Sequence, residues 1–362
     1  MVFATERIRA QAKTQVQTMN VPSRFVFSPT HVADTLRANI SGQENVIGRI
    51  EDQLQVISAG LCDPRRPLLS ALFIGATGVG KTEMVRQVAK AIHGRDDAFC
   101  RIDMNTLSQS HYSAAITGAP PGYVGSKENL SLFDDELITG TNSRPGIVLF
   151  DEIEKADRSV VLSLMNILDN GTLKLASGQK SISFRNTLVF MTSNVGSRMA
   201  ESLHWLDAIP GFSRAGIYRS ALKRHFNTEF ISRIGLIEYF SALPAQAMPS
   251  LIEKLEDELN QKLKRHRVSI ELDQHAREFV LAESQFQRYG ARAIERTFRN
   301  LVTTAVARDL NALNQHHEAA GATHFQGVLN QNGLSFLPVN LSDPSAESTP
   351  TSPLATQGEN HD

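Results

Sequence analysis

"GATGVGKT", Gly75 to Thr82, decides how the rest of this chain is read. It fits G-x-x-x-x-G-K-[ST]. The apolar run "ALFIG" from residue 71 precedes it, and the helical pattern "KTEMVRQVAKAIHG" follows it. That strand–loop–helix context is what the motif needs. Glycines let backbone N–H groups wrap phosphates without Cβ clashes, and the helix N-terminus adds a favourable dipole. Gly75, Ala76, Thr77, Gly78, Val79, Gly80, Lys81 and Thr82 are therefore the candidate nucleotide-binding loop for ATP. Lys81 is expected to reach the β- and γ-phosphates, and Thr82 to be a ligand of Mg2+.

Outward from this loop, short apolar runs alternate with helical patterns. The runs are "ALFIG" at 71, "FCRID" at 99, "GIVLFD" at 146, "NTLVFMTS" at 186 and "GLIEYF" at 235. Each is almost wholly apolar, as strands of a parallel sheet covered on both faces should be. In the intervening helices, Met84, Val85, Val88, Ala89 and Ile92 share one face before Gly94. Val161, Leu164, Met165 and Leu168 are expected inward before Gly171. The fold class is α/β.

From Pro244 the pattern turns mainly helical. Ile252, Leu255, Leu259 and Leu263 stand in helical register, "VSIEL" alternates like a strand, and "ARAIERTFRNLVTTAVARDLNAL" reads as one amphipathic helix. "FQGVLNQNGLSFLPV" carries the Asn-Gly of a hairpin. The expected divisions are an arm and linker over 1–39, a large α/β domain over 40–242, a small helical domain over 243–340 and a disordered tail over 341–362.

The chain has 362 residues and a formal net charge of −1, a balance that does not suggest a polyanion-binding surface. Its start lacks an apolar run of signal-peptide length and no stretch is long enough to span a bilayer, so a cytoplasmic protein without membrane contact is expected. Cys62 and Cys100 form no paired motif, and His316 and His317 have no partners at ligand spacing.

"GIVLFDEIEK" supplies the second half of the nucleotide site. Asp151, ending an apolar strand, can hold the Mg2+ shell. Glu152 can orient and activate water for attack on the γ-phosphate. Thr192, Ser193 and Asn194 end another strand, where a polar side chain can share that water.

At this point the chain resembles the second ATPase module of the Clp/ClpB AAA+ unfoldases. "GATGVGKTE", "RIDM", "GAPPGYVG", "VLFDEIEK", "FRNTLVFMTSN", "EFISRI" and "YGARAIER" occur in that family's order, from about Ile40 to about Val339. The resemblance implies a P-loop RecA-like sheet domain with a helical lid, ATP between them, and hexameric rings. It implies that Ile40 and Gly42 flank the adenine and that Asn194 is the sensor that positions water. Arg233 would reach a neighbouring subunit's nucleotide, and Arg292 would read the γ-phosphate from the lid. It also implies that Tyr123, extended by Val124, projects into the ring's channel and grips a polypeptide, a task that suits an aromatic's large and undemanding contact area.

The expected function is ATP-dependent protein remodelling by a homohexamer that threads a polypeptide through its pore. The alternatives are an AAA+ nucleic-acid machine or a nucleotide-switched adaptor that does not turn over ATP. The loop Gly118–Gly125 and the lack of a basic patch argue against nucleic acid. Intact Glu152 and Arg233 argue against a mere switch. Three departures from the family stand out. The chain has one P-loop and no recognisable cargo-collecting domain, so an adaptor protein is a candidate partner. The segment "LKLASGQKSISFRNT" after Gly171 differs from the usual one. In "IPGF", Ile209 to Phe212, Pro210 interrupts the triplet with which relatives dock a peptidase, so a protease partner is not expected.

Overall fold

In this computed structural model the described residues are 23–108, 133–174, 181–202, 214–286, 290–316, 324–330 and 333–338. The loop Gly118–Gly125 with Tyr123 and Val124, the "IPGF" segment and the tail 341–362 lie outside them. The chain divides into two compact units, one through Ala247 and one from Met248.

The first unit contains β1 (Leu69–Ile74), β2 (Cys100–Asp103), β3 (Gly146–Asp151), the small antiparallel pair β4 (Thr172–Lys174) and β5 (Ser181–Ser183), then β6 (Thr187–Ser193) and β7 (Leu236–Tyr239). Five of these form a parallel sheet in the order β2-β3-β6-β1-β7. Each apolar run expected to be a strand lies in it. The physical reason is visible in the packing. Leu72, Ile74, Val148, Phe150, Val189 and Met191 feed one core, while Ala71, Phe73, Ile147, Leu149, Leu188 and Phe190 feed the other. All twelve are fully buried. Along β1, β3 and β6 neither face meets water, so these strands do not alternate apolar with polar, whereas β2 at the sheet's edge alternates buried Cys100 and Ile102 with exposed Arg101 and Asp103. Truncating one such phenylalanine to alanine costs about 3–5 kcal/mol.

Helix Lys81–His93 buries the expected face and ends on Gly94 in the left-handed region, φ 78°. Helix Arg158–Asn170 starts on Asp157, whose carboxylate accepts from Ser159 N, and ends on Gly171 at φ 60°. Leu164, Met165 and Leu168 are buried as expected, but the stripe begins at Val160, and Val161 is only half-buried. The helix faces the sheet along 160, 164, 167 and 168, with Ser163 also covered.

Residues 25–39 are not a linker. Ser28 caps helix Pro29–Asn39 by accepting from His31 N, and Pro29 occupies its first turn. Val32, Ala33 and Leu36 then enter the same core as Phe73, together with Phe25 and Phe27. The apolar 32/33/36 spacing is a helix face, and it draws this segment into the first unit.

The second unit combines helices Met248–Leu263, Gln274–Ser284, Ala291–Phe298 and Thr304–His316 with β8 (Ser269–Leu272), β9 (His324–Asn330) and β10 (Gly333–Pro338). β9 and β10 pair antiparallel, as the Asn-Gly signal predicts, and β8 joins β9 in parallel. The helix expected from 291 onward is interrupted by a π-helical stretch, Arg299–Thr303. Leu255 is half-buried, while its neighbour Glu256 is buried against Arg277 at 3.3 Å. Burial pushes the Glu256 carboxyl up from its ordinary range.

Candidate nucleotide site at the strand ends

The sheet order builds the site. β6 lies between β1 and β3, so the C-terminal ends of these three strands bring the glycine loop, Asn194 and the Asp151–Glu152 pair side by side. Ligands of open α/β sheets bind outside such carboxyl ends. Gly75 N donates to Ser193 O at 3.2 Å, which seats the loop beside β6. A Cβ at Gly75 would come within 2.9 Å of the Phe240 carbonyl oxygen, so only glycine fits there. Gly80 has φ 98°, and its carbonyl then accepts the first turn bond from Met84 N at 2.9 Å. The loop thus runs directly into a helix N-terminus, the end of a helix dipole that favours an anion.

Lys81 is 7% exposed, and its ammonium donates to Gly75 O and Ala76 O, both at 2.6 Å, and to Asn194 Oδ1 at 2.8 Å. Asn194 Nδ2 donates to Glu152 Oε1 at 3.3 Å. One amide therefore bridges the loop cation and the carboxylate that follows β3. Asn194 is held in turn by its backbone N–H, which donates to Glu154 Oε1 at 3.0 Å.

Glu152 takes φ 59°, rare for a residue with a Cβ. Its N–H donates to Thr192 Oγ1 at 3.0 Å, and the same hydroxyl donates to Asp151 Oδ1. Arg101 on β2 donates to Asp151 Oδ2 through Nη2 at 2.6 Å and Nε at 3.1 Å. A buried carboxylate is stable here because both oxygens have donors.

Mg2+ prefers hard oxygen ligands, with one or two protein groups beside phosphates. The buried Asp151 carboxylate and the Thr82 hydroxyl in the first turn after the loop fit that preference. No cluster of three or more metal-binding side chains occurs among the described residues.

The remaining expected residues are placed as follows. Ile40 is buried in the core that also holds Val79. Gly42 has φ 75° and packs against Pro244, which leaves no space for a Cβ. Arg292 belongs to the second unit, exposed in the first turn of helix Ala291–Phe298, after Gly290 at φ 63°. Arg233 is not brought to its own chain's loop. It precedes β7, which runs parallel to β1 with Leu236 level with Ala71. The loop leaves the opposite end of β1, about 20 Å away at the usual rise per residue. Asp169 and Glu229 hold the Arg233 guanidinium, and the Asp169 bond raises its already high pKa further.

Some polar groups at the site are not signalled by the motifs. Arg101 stands within "RIDM", but only the pairing of β2 with β3 discloses its partner. Gln43 is buried and joins the loop to the segment after β7: its amide nitrogen donates to Val79 O at 3.5 Å and to Ser241 O at 2.9 Å, and its Oε1 accepts from Ser241 N at 3.2 Å. A glutamine just after the Ile40–Gly42 segment was the available hint.

Comparison with known proteins identifies the family. Residues 66–237 match the family described as AAA domain (Cdc48 subfamily), and residues 243–321 match the C-terminal, D2-small domain, of ClpB protein. Over 311 residues the chain is 43% identical to the ATP-dependent protease ATP-binding subunit-like protein AmiB of Pseudomonas aeruginosa, covering 83% of each chain. It is 40% identical over 294 residues to an ATP-dependent protease ATP-binding subunit-like protein of Rhodococcus erythropolis, covering 78% of this chain and 83% of that one. Chaperone protein ClpB of Mycoplasma pneumoniae is 34% identical over 281 residues, which are 77% of this chain and 37% of the relative.

Proposed function

This chain belongs to the Clp-type AAA+ ATPases, and from that premise we propose that it hydrolyses ATP in a homohexameric ring that threads a polypeptide through its centre. The family supports protein remodelling; ring, pore and threading are our reading. The observation that carries the hydrolytic part is the Asn194 amide. It touches Lys81 at 2.8 Å and Glu152 at 3.3 Å, so phosphate binding and water activation meet in one side chain.

In the proposed mechanism Lys81 exchanges its loop carbonyls and Asn194 for the β- and γ-phosphates of ATP. Asn194 is then free to hold the attacking water together with Glu152. Glu152 accepts the proton as the water attacks, and its orientation is maintained by Thr192 at its backbone N–H. Mg2+ held by Thr82 and Asp151 would offset phosphate charge. Arg233 of one copy would stabilise the charge developing on the γ-phosphoryl held by the next, and Arg292 would sense that phosphate from the second unit. The separation of Arg233 from its own loop favours action in trans. Tyr123 and Val124 would grip the polypeptide, and a separate adaptor protein is a candidate supplier of cargo.

Glu152→Gln tests the reading. The variant should bind ATP, assemble, lose turnover by about 10²–10⁴-fold, and retain a protein substrate that can be identified by mass spectrometry. Retention of nucleic acid alone would sink protein remodelling. Turnover at the parental rate would remove Glu152 from the mechanism.

A further inference from the structure

Arg233 closes the short helix Thr228–Ser232 ahead of β7, and its side chain is 22% exposed. A guanidinium has five N–H bonds. Nε donates to the Asp169 carboxylate, Nη1 to Glu229 O at 2.8 Å and Nη2 to Glu229 Oε1 at 2.9 Å. One N–H on each terminal nitrogen thus has no acceptor among the described residues.

Asp169 stands in an unusual place. It lies in the last turn of helix Arg158–Asn170, where the helix dipole disfavours a negative charge and no basic residue is present in the turn. Two guanidiniums offset this. Arg66 donates to Oδ1 at 3.3 Å and Arg233 to Oδ2. An arginine is a long, rotamer-rich side chain, and a freely sweeping one meets a target in few of its states. Here two acids on two different elements grip one fork, which leaves it a single orientation.

We propose that Asp169 is a positioning residue for Arg233: with Glu229 it fixes the guanidinium so that the two unclaimed N–H bonds are presented to the phosphate of a nucleotide held by an adjacent copy of this chain. The inference rests on the reading of Arg233 as acting in trans.

A mixing experiment separates the two. Arg233→Ala has an intact site but cannot lend an arginine. Glu152→Gln cannot hydrolyse but can lend one. Mixed in equal amounts, they should show ATPase activity several-fold above the sum of the parts. No gain, with co-assembly verified by native mass spectrometry, would overturn the trans reading and this proposal with it.

Next, Glu152→Gln/Asp169→Asn replaces the lender. The gain should fall about tenfold, as misplacement of a catalytic group does, with KM for ATP unchanged. A Glu152→Gln/Arg66→Ala lender should keep the gain, because it cuts the arm of Asp169 that does not touch Arg233. Glu152→Gln/Asp169→Glu, which retains the charge, should restore part of it, and it stands in if the asparagine variant does not fold. An equal or greater gain with the Asp169→Asn lender would overturn the positioning role while leaving the trans reading intact. So would an Arg66→Ala lender as poor as the Asp169→Asn one, which would make Asp169 a structural tie.

Discussion

At the scale of single residues, Thr192 does more than its position at a strand end suggests. Its hydroxyl accepts from Glu152 N and donates to Asp151, so one oxygen orders both acids. It also supports a backbone at φ 59° that a β-carbon disfavours. Thr192→Val keeps the shape and removes both bonds. The unpaired groups cost about 1–3 kcal/mol. We expect a thermal midpoint lowered accordingly and kcat reduced more than KM, measured by calorimetry and steady-state ATPase assay. A normal kcat would show that Glu152 holds its place without this hydroxyl. The residues that the sequence discloses here are those whose role is local. The proposed phosphate loop is one contiguous stretch, Gly75 to Thr82, and Asp151 and Glu152 stand together at the end of one apolar run. Arg101 was not legible, because its partner lies 50 positions away and becomes a neighbour only when β2 pairs with β3.

At the scale of elements, helix Lys81–His93 carries the loop at one end and a titratable group at the other. His93 is half-buried, with Nε2 3.0 Å from Pro145 O. Burial, with Arg144 and Arg95 nearby, lowers its pKa below 6.5 despite that carbonyl. The folded form therefore prefers the neutral ring. Between its folded pKa and 6.5 the unfolded chain binds more protons, so stability rises with pH through this window. Acidifying from pH 6.5 downward should destabilise the first unit, and His93→Gln should remove that component from the pH dependence of urea unfolding. An identical pH profile in the variant would assign the effect elsewhere. Element types were readable because period and length differ between strand and helix. Helix faces were less so. In helix Arg158–Asn170 the run "VVL" offers several stripes, and only packing against the sheet selects Val160 over Val161. The π-helical stretch at Arg299–Thr303 leaves the apolar pattern unbroken and so gave no signal.

At the scale of the whole molecule, the chain divides after Ala247 into two compact units, and the candidate nucleotide loop belongs to the first. Nucleotide bound to the folded loop but not to the unfolded chain should stabilise by mass action, about 2.7 kcal/mol at a hundredfold excess over Kd. The Glu152→Gln protein should therefore melt several degrees higher with ATP and Mg2+, while Lys81→Ala should show little shift. An equal shift in both would mean that nucleotide binds elsewhere. The five strands of the sheet and the second unit's hairpin followed from pattern, whereas the order β2-β3-β6-β1-β7 appears only in the folded sheet. The inclusion of residues 25–39 in the first core did not follow from pattern, because the mixed polar and apolar residues before them, without a sustained period, suggested a loose beginning.

The distance between Arg233 and its own chain's loop has a kinetic meaning. If the arginine serves only a neighbour, a lone copy has a site without its last cation and a cation without a site. Rate per molecule then depends on protein concentration. Below the dissociation constant of the assembly the chain stores ATP, and above it the same chain spends it. One strand's length of separation would make abundance itself a control on the reaction.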